Sequence, residues 1–146
     1  MMQCAYEVRD SSIAGKGLFA TEPIAKGSLL WKYSDESVRT FTSAEELRAH
    51  FATLSRDEIV EFLEHAYCWE GKVCEILDDG KYWNHSKSPN TGLLPEDENS
   101  SFALRDIAPG EELLDNYAEH DMINWYEAIC VEYGVTSVLS IGQMYD

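Results

Sequence analysis

Tyr82-Trp83-Asn84-His85-Ser86-Lys87-Ser88-Pro89-Asn90 and, about twenty-five residues on, Gly110-Glu111-Glu112-Leu113-Leu114-Asp115-Asn116-Tyr117 are the segments on which the reading of this chain turns. Asn and Ser side chains hydrogen-bond their own backbone, and Pro fixes φ and removes a donor. Asn-His-Ser followed by Pro-Asn therefore reads as a tight, polar, non-repetitive turn. Such a turn is usually a loop tip. This one follows an aromatic pair and sits between apolar runs, so on its residues alone it is either a surface turn or a loop that holds a ligand. Asn84 and His85 are then polar loop residues, and Tyr117 is an aromatic at a strand end.

Three segments in fixed order carry a resemblance. Asn-His-Ser-x-x-Pro-Asn followed by Gly-Glu-Glu-Leu-x-x-x-Tyr looks like the paired signature of SET-domain protein-lysine methyltransferases. Gly15-Lys16-Gly17-Leu18-Phe19-Ala20 resembles that family's N-terminal Gly-x-Gly stretch. A lone Gly-x-Gly carries little weight; the ordered triplet, spanning about residues 6–117, carries much more. The resemblance is to a small form without pre-SET or zinc-binding post-SET segments. It implies a β-rich α+β fold of several small curved sheets, with a threaded, pseudoknot-like C-terminal segment and a helical insert. The expected division is a SET domain over residues 1–118, the insert at about 43–66, and a helical segment over 119–146 that closes the site.

The same resemblance implies S-adenosyl-L-methionine as cofactor and a lysine side chain of a basic protein, a histone tail among the candidates, as methyl acceptor. The other reading of the same fold is a catalytically silent module that binds a basic peptide. By resemblance Tyr117 is the catalytic residue. Lys16, Gly17 and Leu18 contact the cofactor, largely through backbone, and Asn84 and His85 hold its amino-acid and adenine portions. Tyr67 and Asp115 line the substrate-lysine channel, Tyr67 being equally a core residue. Two departures stand out. Lys87 occupies a position where relatives carry a zinc-binding cysteine, and Asp115-Asn116 replace an aromatic followed by Asp. A carboxylate at 115 either attracts the substrate ammonium and leaves room for successive methylations, or holds the amine protonated and slows the reaction.

Composition bounds these readings. A chain of 146 residues, 45% hydrophobic, suits one domain with a real core. No run is long enough to span a bilayer, and the N-terminus lacks a secretory pattern. Four scattered cysteines without Cys-x-x-Cys argue against structural zinc, so no metal is expected. Reduced thiols place the expectation in nucleus or cytoplasm. With 27 acidic against 11 basic residues the net charge is −16, which disfavours direct nucleic-acid binding and suits a basic partner.

Outside the quoted segments, many short strands with Gly/Pro turns argue for a β-rich fold. Strands are expected at about residues 2–9, 18–21, 28–33, 73–77, 91–94 and 102–107. Residues 34–42 read as irregular, and 95–101 as an acidic exposed loop. Ser43-Ala44-Glu45-Glu46 and Ser55-Arg56-Asp57-Glu58 are capping-box patterns ahead of helically spaced apolar residues. A last helix, capped by Asp121 and stopped at Gly134, carries Met122, Ile123, Tyr126, Ile129, Cys130 and Tyr133. That helix is either a core or dimer face, or the lid, with Trp125 or Tyr126 near the adenine. A homodimer is the corresponding expectation.

Overall fold

The structure, a computed structural model, describes residues 1–144. Its strands fall into four small open sheets. Strand β1 (Tyr6–Asp10) pairs antiparallel with β2 (Lys16–Ala20). Strand β3 (Leu29–Trp31) lies beside β9 (Asp97–Ala103), which pairs on its other side with β8 (Thr91–Leu94). Strand β4 (Val38–Phe41) flanks β6 (Lys72–Ile76), with β5 (Tyr67–Trp69) on the far side. Two residues of β7 (Asn84–His85) pair parallel with two of β10 (Leu114–Asp115).

Three local expectations need correction. Residues 34–42 contain β4: Val38 and Phe41 are buried, and the strand pairs from Val38↔Ile76 to Phe41↔Val73. The expected loop at 95–101 is largely β9, in which Ser100 is only 3% exposed and its hydroxyl accepts from the Tyr33 amide at 3.2 Å. Asn84-His85 is strand rather than turn, because its backbone is taken up by Leu114-Asp115.

Helix α1 (Ala44–Phe51) starts where Ser43 accepts from the Glu46 amide. Glu46 closes on Thr42 rather than on Ser43, so that box is half formed. Helix α2 (Arg56–His65) has the full reciprocal box between Ser55 and Glu58. Helix α3 (Asn124–Glu132) has no side-chain cap; Asp121 instead accepts from the Glu70 amide at 2.6 Å and ties the chain to the β5–β6 turn. Gly134, at φ +69°, ends it in the left-handed conformation that glycine adopts freely. Helix α4 (Val138–Met144) lies inside the helical segment expected over 119–146, where the residues alone announce only the helix ending at Gly134. Its start is fixed by Ser137, which donates to Glu127 at 2.8 Å and accepts from the Ser140 amide at 3.1 Å.

One apolar cluster joins the insert to α3 through Leu47, Phe51, Phe62, Leu63, Tyr126 and Ile129. A second joins β2 to the sheet around β3 through Leu18, Leu30, Ala103, Ile107 and Leu113. The inner face of α3 is thus covered by the same chain. Tyr126, 1% exposed, is a core residue and cannot serve as the lid.

Residues 111–117 run between these bodies. On one side the Leu113 amide donates to Leu18 O and Ala20 N to Glu111 O, at 2.8 and 2.9 Å. On the other, Asn90 donates to Glu112 O and accepts from Leu114 N, both at 2.8 Å, while Thr91 donates to Leu114 O. Two polar side chains, Asn90 at the end of the Asn-His-Ser segment and Thr91 at the start of β8, therefore satisfy a stretch with only two residues of parallel ladder of its own.

Candidate active site

The strand pair β7–β10 brings the two quoted segments into contact. Pairing of Asp115 with His85 puts the Tyr117 amide within 3.0 Å of His85 Nδ1, to which it donates. An accepting Nδ1 bears no hydrogen, so the imidazole hydrogen sits on Nε2. The rings of His85 and Tyr117 lie 5.2 Å apart, and the Tyr117 hydroxyl donates to the carbonyl of Trp83. Burial pushes that phenol well above its ordinary range, so it remains a protonated donor.

Tyr117 and Trp83 line two cavities at once. The first is bounded by residues 13–16, by Asn84 and His85, and by Tyr133, Val135, Thr136 and Ile141. The second is bounded by Tyr67 and Trp69 of β5, by residues 98–101 of β9, and by Asp115, Glu119, His120 and Val138. His65 and Lys81 are shared by both linings as well. Residues 133–136 and Ile141 border the first cavity and Val138 the second, whereas Trp125 and Tyr126 line neither.

Of the cofactor residues expected from sequence, Lys16, Asn84 and His85 line the first cavity. The Lys16 ammonium turns outward to Asp10 at 2.7 Å, while its carbonyl accepts from Asn84 Nδ2 at 2.9 Å. Gly17 and Leu18 do not line it. Leu18 is fully buried in the second core cluster, and a Cβ on Gly17 would run into the Glu112 carboxylate. Strand pairing of β2 with β1 turns these two residues into the body of the protein. Tyr67 and Asp115 both border the second cavity.

Three contributors escaped sequence reasoning. Glu112 accepts from Asn84 Nδ2 at 2.8 Å and from the Ser11 hydroxyl at 2.9 Å, tying the glycine loop to β7. It stands inside the quoted motif, where its charge was the available signal. Trp83 supplies the carbonyl that seats the Tyr117 hydroxyl, a backbone role no side chain announces. His120 packs between Tyr67 and Tyr117, with ring separations of 5.1 and 6.0 Å, and no pattern marks it.

Burial also sets the charges. The Asp115 carboxyl is pushed up to about 7, against the opposing pull of the Asn116 amide that it accepts at 2.9 Å. A quarter of its side chain (25%) is exposed, but it borders a cavity walled by Tyr67 and Trp69. His120 is pushed down to about 4, again by burial. Among the described residues no group of three or more His, Cys, Asp or Glu could hold a metal ion, and no helix is long and apolar enough to cross a membrane.

The structure is a small β-rich domain with two cavities that share Tyr117 and Trp83 in their walls. The SET-domain family profile matches residues 15–118, and the chain belongs to the SET-domain family of protein-lysine methyltransferases. It is 31% identical over 125 residues to histone-lysine N-methyltransferase, H3 lysine-37 specific, of Schizosaccharomyces pombe, covering 83% of this chain and 76% of that one. It is 32% identical over 131 residues to histone-lysine N-methyltransferase SETMAR of Rattus norvegicus, covering 80% of this chain but only 40% of that protein. Among solved structures, ctPRC2 in complex with H3K27me3 and H3K27M matches with a TM-score of 0.54 at 20% identity, over 78% of this chain and 14% of that one. At that identity the likeness speaks to the fold.

Proposed function

We propose that the protein transfers a methyl group from S-adenosyl-L-methionine to a lysine side chain of a basic protein, a histone tail being the foremost candidate, in the nucleus or cytoplasm. The observation that carries this reading is the position of Tyr117, which forms a wall of both cavities and is held by His85 and Trp83.

The residues of the first cavity fit the cofactor's chemistry. Asn84, Thr136 and Glu64 offer polar groups for an amino-acid portion, and Tyr82, Trp83, Tyr133 and Ile141 offer aromatic and apolar surface for an adenosine. When bound, the cofactor supplies a methyl group on a sulfonium. Methyl transfer to an amine is an in-line displacement that needs neither a metal nor a covalent enzyme intermediate. This chain has to align the reacting atoms, exclude water and receive a neutral amine. Tyr117 orients the junction, its hydroxyl fixed against Trp83 and its amide against His85. Tyr67 and Trp69 wall the passage for the lysine stem. A free lysine, with pKa near 10.4, costs about 4–5 kcal/mol to deprotonate at pH 7, and desolvation in such a passage lowers that cost. The division proposed is a SET domain over residues 1–118 and a segment over 119–146 that closes the site.

Asp115 favours a second reading, a module that binds a basic peptide without turnover, since a carboxylate can hold a substrate ammonium charged. Methylation of histone and lysine-rich peptides by wild type and Tyr117→Phe, beside calorimetric titration with S-adenosyl-L-methionine, separates the two. Turnover that falls about 100-fold or more in Tyr117→Phe, with cofactor binding retained, is expected. Equal turnover in both proteins removes Tyr117 from the mechanism. Tight cofactor binding without turnover on any peptide establishes the silent module.

A further inference from the structure

Asp115 and His120 face each other where the second cavity meets Tyr117. Asp115 Oδ1 is taken by the Asn116 amide at 2.9 Å, which leaves Oδ2 for the cavity and for His120 Nε2, 4.0 Å away. Among the described residues no Lys or Arg pairs with Asp115. The His120 ring packs against the rings of Tyr67, at 5.1 Å, and Tyr117, at 6.0 Å. Its Nδ1 is buried and, among the described residues, has no hydrogen-bond partner. The imidazole thus has one buried nitrogen without a partner and the other 4.0 Å from a carboxylate, beyond direct hydrogen-bond range, an arrangement that costs stability and asks for a reason.

We propose that Asp115, with His120 as its positioning partner, receives the proton of the substrate ammonium before methyl transfer. The inference rests on the reading that the second cavity admits a lysine side chain. An N–H bond of the ammonium breaks and its electron pair stays on nitrogen, while an O–H bond forms at Asp115 Oδ2. The freed lone pair then forms the N–C bond as the C–S bond of the sulfonium breaks, its electrons remaining on sulfur. The methylated ammonium departs as a cation, and Asp115 releases its proton to solvent through the cavity mouth.

The surroundings support this direction of transfer. In a desolvated passage two charges gain less than a neutral acid beside a neutral amine, because each ion has lost its hydration. Beyond burial, the neighbouring charge on Glu119 favours proton uptake by Asp115 and the Asn116 amide opposes it. Asp121 favours and His85 opposes protonation of His120, and Glu112 pushes the Tyr117 phenol upward. The phenols of Tyr67 and Tyr117 and the Cys74 thiol behind Tyr67 are all shifted upward and stay neutral. The carboxyl itself, at about 7, is matched to a general base working near neutral pH.

The test uses wild type, Asp115→Asn and His120→Gln with histone H3 tail peptides that carry either lysine or S-aminoethylcysteine, a more acidic amine, at the methylated position. Wild-type kcat/KM is expected to rise with pH through one ionisation near 7. Asp115→Asn loses that limb and falls about 100-fold on lysine, consistent with a general-base role. It recovers much of the loss on S-aminoethylcysteine. His120→Gln moves the limb to higher pH, with the change in kcat rather than KM. Should Asp115→Asn match wild type in rate and pH profile, or lose equally on both amines, the inference is overturned while the enzyme stands. Cofactor binding without any turnover by wild type removes the enzymatic reading and this one with it.

Discussion

A buried acid that holds its proton and a buried base that has shed one leave little trace in the stability of the intact protein. Asp115, at about 7, keeps a proton in the folded state that the unfolded chain loses near pH 4. Taken alone it lowers stability as pH rises across that window, and the whole cost stands above it. His120, at about 4, lacks a proton that the unfolded chain holds until about pH 6.5, so alone it raises stability as pH climbs from about 4 to 6.5. Together the folded and unfolded states bind nearly equal numbers of protons. Asp115→Asn should therefore uncover the rising slope and His120→Gln the falling one. The upper limits are about 3 and about 4 kcal/mol, reduced by the 16% and 25% of these side chains left exposed. Urea unfolding of the three proteins at about pH 4.5, 6 and 7.5 reads both slopes; parallel curves would show that the two groups are not desolvated as a pair. Glu112 makes a separate case. Its carboxylate joins Ser11 to Asn84, and Glu112→Ala removes the charged acceptor, leaving only the Ala14 and Lys16 carbonyls to hold the Asn84 amide. Loss of one charge-assisted bond is expected to weaken S-adenosyl-L-methionine binding by about 1.5–3 kcal/mol, measured by calorimetry, with a smaller effect on kcat at saturation.

Elements differ in how far local sequence reveals them. The insert helices were legible because Ser43 and Ser55 announce them within one turn, and both caps are used. Strand β7 was not, because two residues become strand only when Leu114-Asp115 lies beside them, some thirty positions away. Helix α4 was missed for another reason. It has an apolar stretch without charged boundaries and a glycine at 142, which reads as a helix breaker. That glycine serves close approach. A Cβ at Gly142 would lie 2.7 Å from the Tyr117 Cβ and nearer still to the 117–118 backbone. Gly142→Ala should force α4 off the Tyr117–Glu119 turn, at a cost of about 1–3 kcal/mol, and open the first cavity. A lower Tm together with a raised KM for the cofactor checks this; a rise in Tm from better helix propensity would show that α4 has room. Ser55→Ala, which breaks the full capping box on the outer side of the insert, is expected to cost about 1 kcal/mol without moving either KM.

At the scale of the whole molecule, charge and cavities answer different questions. The ordered motifs made the family and the Tyr117–His85 partnership legible. Neither cavity was, since each is assembled from four or more segments whose meeting depends on the β7–β10 pair and on α4. The net charge of −16 was visible from composition, and its consequence depends on where the cavities open. The second cavity is bordered by Glu98, Asp115 and Glu119, with Lys81 as the opposing cation. A cationic tail approaching from solvent meets an attractive field that salt screens over a Debye length of about 10 Å at 0.1 M. Contacts inside the first cavity, the proposed cofactor site, are screened far less. KM for a basic peptide should accordingly rise several-fold between about 0.05 and 0.5 M salt, through a falling association rate, while cofactor affinity changes little. Stopped-flow association of a fluorescent basic peptide at graded ionic strength makes the comparison. A rate independent of salt would mean that the tail is recognised by the aromatic wall at Tyr67 and Trp69, and that the acidic surface takes no part in bringing it there.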